Sequence, residues 1–247
     1  MNRKVFLVIV LTLFCCVSGL LVLKQHELKK FVISIRNQFQ EKKYNDHKPA
    51  KHDVWGIDIS HHQKNVDWNE MSKRKPDFIF LKATEGSTHV DSKYKTYKKE
   101  TQKLGIPTGA YHFFSYQSDG KKQAEHFLRT ANLQTGDLLP VLDCEFKGAM
   151  PKSQKVTNEL LKFLSKVEDE LGVKPIIYCE CSYYNKYLNR DLSGTYPLWI
   201  SNFWKEPPCG YVFWQKTDKF KHSAFRGTVD YNEFRGSRKD LNKYQLQ

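Results

Sequence analysis

Glycine and proline are scarce, at 13 and 9 among 247 residues. The six cysteines include no Cys-x-x-Cys pair and meet no histidines at zinc-finger spacing. Collagen-like, disulfide-scaffold and zinc-finger classes are therefore excluded. Internal repeats are absent, and no low-complexity linker comes after Pro49. Long apolar runs are nearly absent as well. Only Val5 to Leu23, 19 residues without a charge, matches a bilayer, at roughly 28 Å as a helix against a hydrocarbon core of about 30 Å. A multi-span membrane protein is ruled out. What is abundant is aromatic: 16 Phe, 13 Tyr and 5 Trp within a 40 % apolar composition, enough for one large domain or two small ones and unlike a disordered chain.

Asn2, Arg3 and Lys4 precede the apolar run, a basic flank that keeps the N-terminus cytoplasmic and sends the downstream chain across the membrane. Residues 1–23 are expected to be a signal anchor, with cleavage near Val17-Ser18-Gly19 as the signal-peptide alternative. Lipid attachment at Cys15 or Cys16 is disfavoured by the bulky or thiol side chain before each. Residues 24–53 read as a basic stalk. Ten Lys and Arg against four Asp and Glu in residues 1–53 account for +6 of the net +13, leaving +7 for the rest. A basic exported protein suits an acidic extracellular polymer or anionic lipid better than nucleic acid. In the exported part, Cys179 and Cys181 alternate on one strand. Either is able to pair with Cys209 in an oxidising compartment, and buried free thiols are the expectation.

From Val54 onward, short β-rich runs alternate with helical patterns, as in repeated βα units around a parallel sheet. Strands are expected at 55–60, 78–83, 107–114, 138–145 and 175–181. The strongest helix runs from Ser153 to Leu171, with Val156, Leu160, Phe163, Leu164, Val167 and Leu171 on one stripe, Ser153 as N-cap and Gly172 as the stop. Asp67 to Glu70 resembles a capping box, and Ser118 reads as the opening of a helix carrying Ala124, Phe127 and Leu128. After a helix near 183–188 come strand-like runs at 197–203, 211–216 and 228–234, joined by connections too short for crossover helices. Eight strands and five helices predict an α/β fold: an irregular TIM-like barrel of five βα units followed by three β-strands, (β/α)5(β)3, over residues 54–240, with 241–247 as a C-terminal tail. Such a barrel fills its interior with side chains and places its site at the C-terminal ends of the strands.

Acidic residues at those ends are candidates for catalysis. Asp58, Asp143, Glu145 and Asp230 each sit in an apolar run, where a carboxylate is costly to bury unless it pairs or reacts. Asp143 and Glu145 are the sharpest pair, because residues i and i+2 of a strand face the same way, about 6.6 Å apart along the backbone. Two acids that close do not both ionise easily, which leaves a protonated acid beside a carboxylate, the division of labour in glycoside hydrolysis. The spacing does not choose between retaining and inverting chemistry. Tyr111, Tyr178, Trp199, Asn202 and Gln215 are the candidate sugar contacts near strand ends, while Phe113 and Phe114 are expected in the core. His61 and His62 are neighbours whose side chains diverge, so no metal is expected, and no cofactor.

These stretches resemble a known family. Gly-Ile-Asp-Ile-Ser-His-His-Gln at 56–63, Asp67-Trp68, the segments 78–86 and 109–114, Pro-Val-Leu-Asp-Cys-Glu at 140–145, Pro-Leu-Trp-Ile-Ser-Asn at 197–202, Phe-Trp-Gln at 213–215 and Val-Asp-Tyr-Asn at 229–232 are similar, in order, to glycoside hydrolase family 25, the Chalaropsis-type lysozymes. The resemblance spans about 180 residues. It implies the same barrel and an N-acetylmuramidase cleaving the β-1,4 bond between N-acetylmuramic acid and N-acetylglucosamine. By the same resemblance Glu145 is the general acid, Asp143 assists it, and Asp58 and Asp230 complete the acidic floor. Cys144 between the acids, Lys64 and Lys82 depart from the family's usual residues without removing an acid. The implied partner is peptidoglycan, met by a monomer held at the membrane through residues 5–23. Two rivals stand beside this reading: a tethered glycan-binding protein without turnover, and a metal-dependent hydrolase using Asp58, His61 and Asp230.

Overall fold

The computed structural model describes residues 52–247. The anchor at 1–23 and nearly all of the stalk at 24–53 lie outside them. Among the described residues no helix is long and apolar enough to cross a membrane.

Among the described residues nine strands form one sheet: β1 Val54–Ile59, β2 Phe78–Glu85, β3 His89–Val90, β4 Thr108–Phe113, β5 Val141–Asp143, β6 Ile176–Glu180, β7 Leu198–Ser201, β8 Phe213–Lys221 and β9 Thr228–Phe234. All but β3 close into a barrel. Strand β1 pairs in parallel with β2 and antiparallel with β9, which joins the two ends of the sheet. From β1 through β2, β4, β5, β6 and β7 to β8 every pairing is parallel; within the barrel β9 alone runs against its neighbours, and outside it the short β3 pairs antiparallel with β2. The chain is thus the closed α/β barrel expected from the sequence.

Between the strands lie α1 Trp68–Lys73, α2 Tyr94–Lys103, α3 Gly120–Ala131 and α4 Ser153–Leu171, then a broken helical stretch from Cys181 to Leu192 whose middle, Tyr184–Leu188, is a π-helix. The apolar stripe of α4 explains its position, since Val156, Leu160, Phe163, Leu164 and Val167 are all buried. Each such side chain contributes roughly 1.5–3 kcal/mol of transfer free energy. Gly172 ends the helix at φ 66°, a left-handed position that glycine takes without strain. Two caps sit one residue from their expected places. Lys152, not Ser153, holds the N-cap of α4, and Asp119, not Ser118, caps α3 by accepting from Lys122 N–H. Asp67 caps α1 as expected, accepting from the Asn69 and Glu70 amides.

Alternation along the strands separates two apolar layers. Ile57, Ile59, Ile79, Leu81, Leu142 and Ile177 face the helices. Val54, Phe78, Phe80, Val141, Ile176, Trp199, Phe213 and Phe234 fill the barrel. Phe80 stacks on Trp199 at 4.7 Å between ring centroids and meets Phe213 edge-on at 5.3 Å. Rings this large fit only because the neighbouring strands offer glycine: a Cβ on Gly56 would lie 2.4 Å from the Phe78 ring, and one on Gly109 would lie 2.5 Å from Phe80. On the outer side His112 of β4 bridges Thr84 Oγ1 at 2.7 Å and Gln123 Oε1 at 3.0 Å, and burial depresses its pKa to about 3. It is a neutral tie between β2, β4 and α3.

Two features differ from the sequence expectation. Residues 241–247 are packed rather than trailing: Leu241 and Leu246 are buried, Tyr244 meets Phe213 and Phe234, and the Leu139 amide donates to Tyr244 O. The thiols are not all free. Strand β6 ends at Glu180, so Cys181 enters the helical stretch instead of sharing a face with Cys179, and it forms a disulfide with Cys209; Cys144 and Cys179 remain buried thiols.

Gly109→Ala is expected to destabilise the fold by about 1–3 kcal/mol through overpacking against Phe80. Urea unfolding followed by tryptophan fluorescence measures it, and an unchanged midpoint would show that the ring moves aside freely.

Candidate active site

The inward columns of the strands change character along their length. Reading toward the mouth, β1 presents Val54, Gly56, Asp58; β5 and the residues after it Val141, Asp143, Glu145; β6 Ile176, Tyr178, Glu180; and β8 Phe213, Gln215. Antiparallel β9 reads the same way in reverse, Phe234, Asn232, Asp230. Period-two alternation therefore stacks an apolar base beneath a polar rim. The rim surrounds a cleft of about 360 Å³ lined by Asp58, Asp143, Glu145, Glu180 and Asp230 together with the rings of Tyr111, Phe146, Tyr178, Tyr183 and Phe203.

Asp58 is the anchored acid. Its Oδ2 accepts from Gln215 Nε2 at 3.0 Å and from Asn232 Nδ2 at 2.8 Å. Both amides are themselves oriented: Tyr178 O–H donates to Gln215 Oε1 at 2.8 Å, and Trp199 Nε1–H donates to Asn232 Oδ1 at 2.8 Å. With their carbonyls thus occupied, the amides are left to offer N–H to Asp58. Burial raises the Asp58 pKa to about 6, and the two amide bonds restrain the rise. Asp230 stands opposite Asp58 in the β1–β9 register and hydrogen-bonds it. Burial and the Asp58 charge push Asp230 up to about 9. Burial and the neighbouring charge thus favour the protonated form of Asp230.

Asp143 is buried, and its Oδ1 has no hydrogen-bond partner. Burial, then the Glu145 charge, raises its pKa well above the carboxylate range. Glu145 is exposed at the rim; partial dehydration of its carboxyl group still raises its pKa, with Lys147 opposing.

The remaining expected contacts divide. Tyr111, Tyr178 and Gln215 line the cleft, the latter two through the Asp58 network. Trp199 also borders it, but its ring is only 2 % exposed and lies against Phe80 and Tyr178, so it is floor rather than an open stacking face. Asn202 is not among the lining residues: its Oδ1 accepts from Trp204 N–H and its carbonyl from Trp214 Nε1–H, which shapes the turn after β7. His61 is held by Asp91, whose Oδ2 lies 2.7 Å from His61 Nδ1, and no cluster suited to a metal occurs among the described residues. Sequence reasoning missed Glu180, Phe146, Tyr183 and Phe203 in the cleft, and Asn232 beneath it. The i, i+2 rule that joined Asp143 to Glu145 also joins Tyr178 to Glu180 and Asp230 to Asn232, so the signal for two of these was present.

The profile of glycosyl hydrolases family 25 matches residues 57–228. The chain belongs to this family. It is therefore a glycoside hydrolase by descent. Similar proteins include YegX of Escherichia coli strain K12, 31 % identical over 205 residues that cover 79 % of this chain and 75 % of that one, and lysozyme M1 of Streptomyces globisporus, 28 % identical over 201 residues covering 74 % and 68 %. Among solved structures, a family 25 glycosyl hydrolase from Bacillus anthracis superposes with a TM-score of 0.75 at 32 % identity, covering 82 % of this chain and 98 % of that one.

A buried acid with a raised pKa opposes folding as pH rises. Below the unfolded pKa, near 3.8, Asp143 is protonated in both states; above it the unfolded chain releases a proton that the folded chain keeps, and stability falls. Asp143→Asn is expected to raise the melting temperature at pH 7 by a few degrees. The gain should vanish near pH 3. Calorimetry across that range checks it; a loss of stability at pH 7 would contradict the burial argument.

Proposed function

We propose that this family 25 member is an N-acetylmuramidase that hydrolyses the β-1,4 bond between N-acetylmuramic acid and N-acetylglucosamine in peptidoglycan, with Glu145 as general acid. The observation that carries the reading is the unpartnered Oδ1 of buried Asp143, two residues before Glu145 in an open, ring-lined cleft. A buried carboxyl oxygen without a partner costs free energy that a structural role would not demand. Substrate supplies the missing partner.

The roles follow from the environments. Glu145 has the raised proton affinity and the access that protonating a glycosidic oxygen requires. Asp143, whose burial favours the protonated form, accepts or donates a hydrogen bond at the reacting sugar and stabilises positive charge there once ionised. Asp58 stays fixed by Gln215 and Asn232 and presents a defined charge and dipole to the cleft. Names among the relatives point the same way: lysozyme M1 of Streptomyces globisporus, the autolytic lysozyme of Clostridium acetobutylicum and a solved bacterial lysozyme from Streptomyces coelicolor. A wall polymer as substrate places the activity in the cell envelope or outside the cell.

The full-length chain is expected to lower the turbidity of a peptidoglycan suspension. Mass spectrometry of the released fragments should show reducing-end muramic acid. Reducing-end glucosamine would mean that the other glycosidic bond is cut. Glu145→Gln should slow the reaction by about 10²–10⁴-fold while leaving the circular dichroism spectrum unchanged; a fully active variant rejects the assignment, and binding without any release identifies a glycan-binding protein.

A further inference from the structure

Glu145 stands between two groups of opposite sign that have no part in the hydrolysis proposed for it. On one side is β6. The parallel ladder pairs Asp143 with Tyr178, and the Cys144 amide continues it by donating to Tyr178 O at 2.9 Å. The next residues on the inward face, Glu145 and Glu180, therefore emerge side by side at the ends of neighbouring strands, and both line the cleft. Glu180 forms no ion pair among the described residues; its Oε2 accepts only from Ser182 Oγ at 3.1 Å.

On the other side is a compact cation cluster. A bulge in β2 between Lys82 and Thr84 breaks the alternation, so Lys82 and Glu85, three residues apart, meet on one face. Lys82 Nζ lies 2.7 Å from Glu85 Oε2, and Lys147 Nζ lies 3.1 Å from Glu85 Oε1. Both ammonium groups also sit over the Phe113 ring, at 4.7 and 4.0 Å. Phe113, expected in the core, is instead half-buried as their platform. Because Phe113 pairs with Asp143 in the β4–β5 register, the cluster flanks the acid pair opposite Glu180.

We propose that Glu180 is a positioning residue for the acid: its carboxylate, beside Glu145, keeps the proton on Glu145, and the Lys82–Glu85–Lys147 cluster on the far side limits that retention. The proposal rests on the muramidase reading for the role of Glu145. The charged groups around Glu145 are Asp143 and Lys147 from its own segment, Glu180 from β6, Lys82 and Glu85 from β2, and Asp58 and Asp230 across the cleft from β1 and β9. After burial, Lys147 is the largest influence on the proton affinity of Glu145, downward, and Glu180 is next, upward. A general acid works only while protonated, so its pKa sets the alkaline limb of the kcat/KM profile.

Glu180→Gln should move the alkaline limb to lower pH by on the order of half a unit, and Lys147→Met should move it to higher pH by a similar amount. The double variant should return it near the wild-type position. Carboxyl-carbon NMR titration of Glu145 in the full-length protein reports the same shifts without substrate. A limb and a titration that stay in place in Glu180→Gln overturn the proposal. So does a uniform change in kcat/KM at every pH, which marks Glu180 as a substrate contact or a support of the rim. A wild-type chain without turnover overturns the muramidase reading, while the NMR titration still decides the Glu180 effect.

Discussion

Strand β1 is bonded along both edges, in parallel to β2 and antiparallel to β9, and the geometry of the cleft depends on that closure. The antiparallel edge sets Asp230 against Asp58. The parallel edge begins the series of registers that bring Asp143, Glu145 and Glu180 to the same rim. A one-residue slip in any of these pairings would turn an inward column outward and exchange the polar rim for aliphatic side chains. The aromatic filling of the barrel resists such a slip, since Phe78, Phe80, Trp199, Phe213 and Phe234 interlock above glycines that admit no other fit.

Above that filling the interior is electrostatically unfavourable, and the unfavourable groups are arranged in two ways. Asp58 is compensated by amides whose orientation Tyr178 and Trp199 dictate. Asp143 and Asp230 are not compensated in this way; dehydration and like charge keep a proton on them. Stability given up at such positions is characteristic of sites shaped for a reacting ligand rather than for the resting chain. The cleft is acidic: its lining residues include five acids and, among the described residues, no lysine or arginine.

Much of this was readable in the sequence, for identifiable reasons. Helix α4 declared itself through a six-residue apolar stripe closed by Gly172, and the strands through runs of Phe, Ile, Leu and Val bounded by turns. The four acids could be singled out because each interrupts an apolar run. Other features depend on three-dimensional register and were hidden. Trp199 and Tyr111 carry the same strand-end signal and both border the cleft, yet the Trp199 ring is packed on Phe80 and buried while Tyr111 is only half-buried. The meeting of Lys82 with Glu85 needs a bulge that no local residue announces. The Cys181–Cys209 pairing turned on where β6 stops, a boundary that propensity places only to within a few residues.

That disulfide ties the residue directly after Glu180 to the segment between β7 and β8, which also carries Phe203. Thiols join in this way only where the surroundings are oxidising. The last stretch of the cleft wall is consequently fastened by a bond whose existence depends on the compartment in which the chain matures. A copy retained among cellular reductants lacks the stitch across that wall.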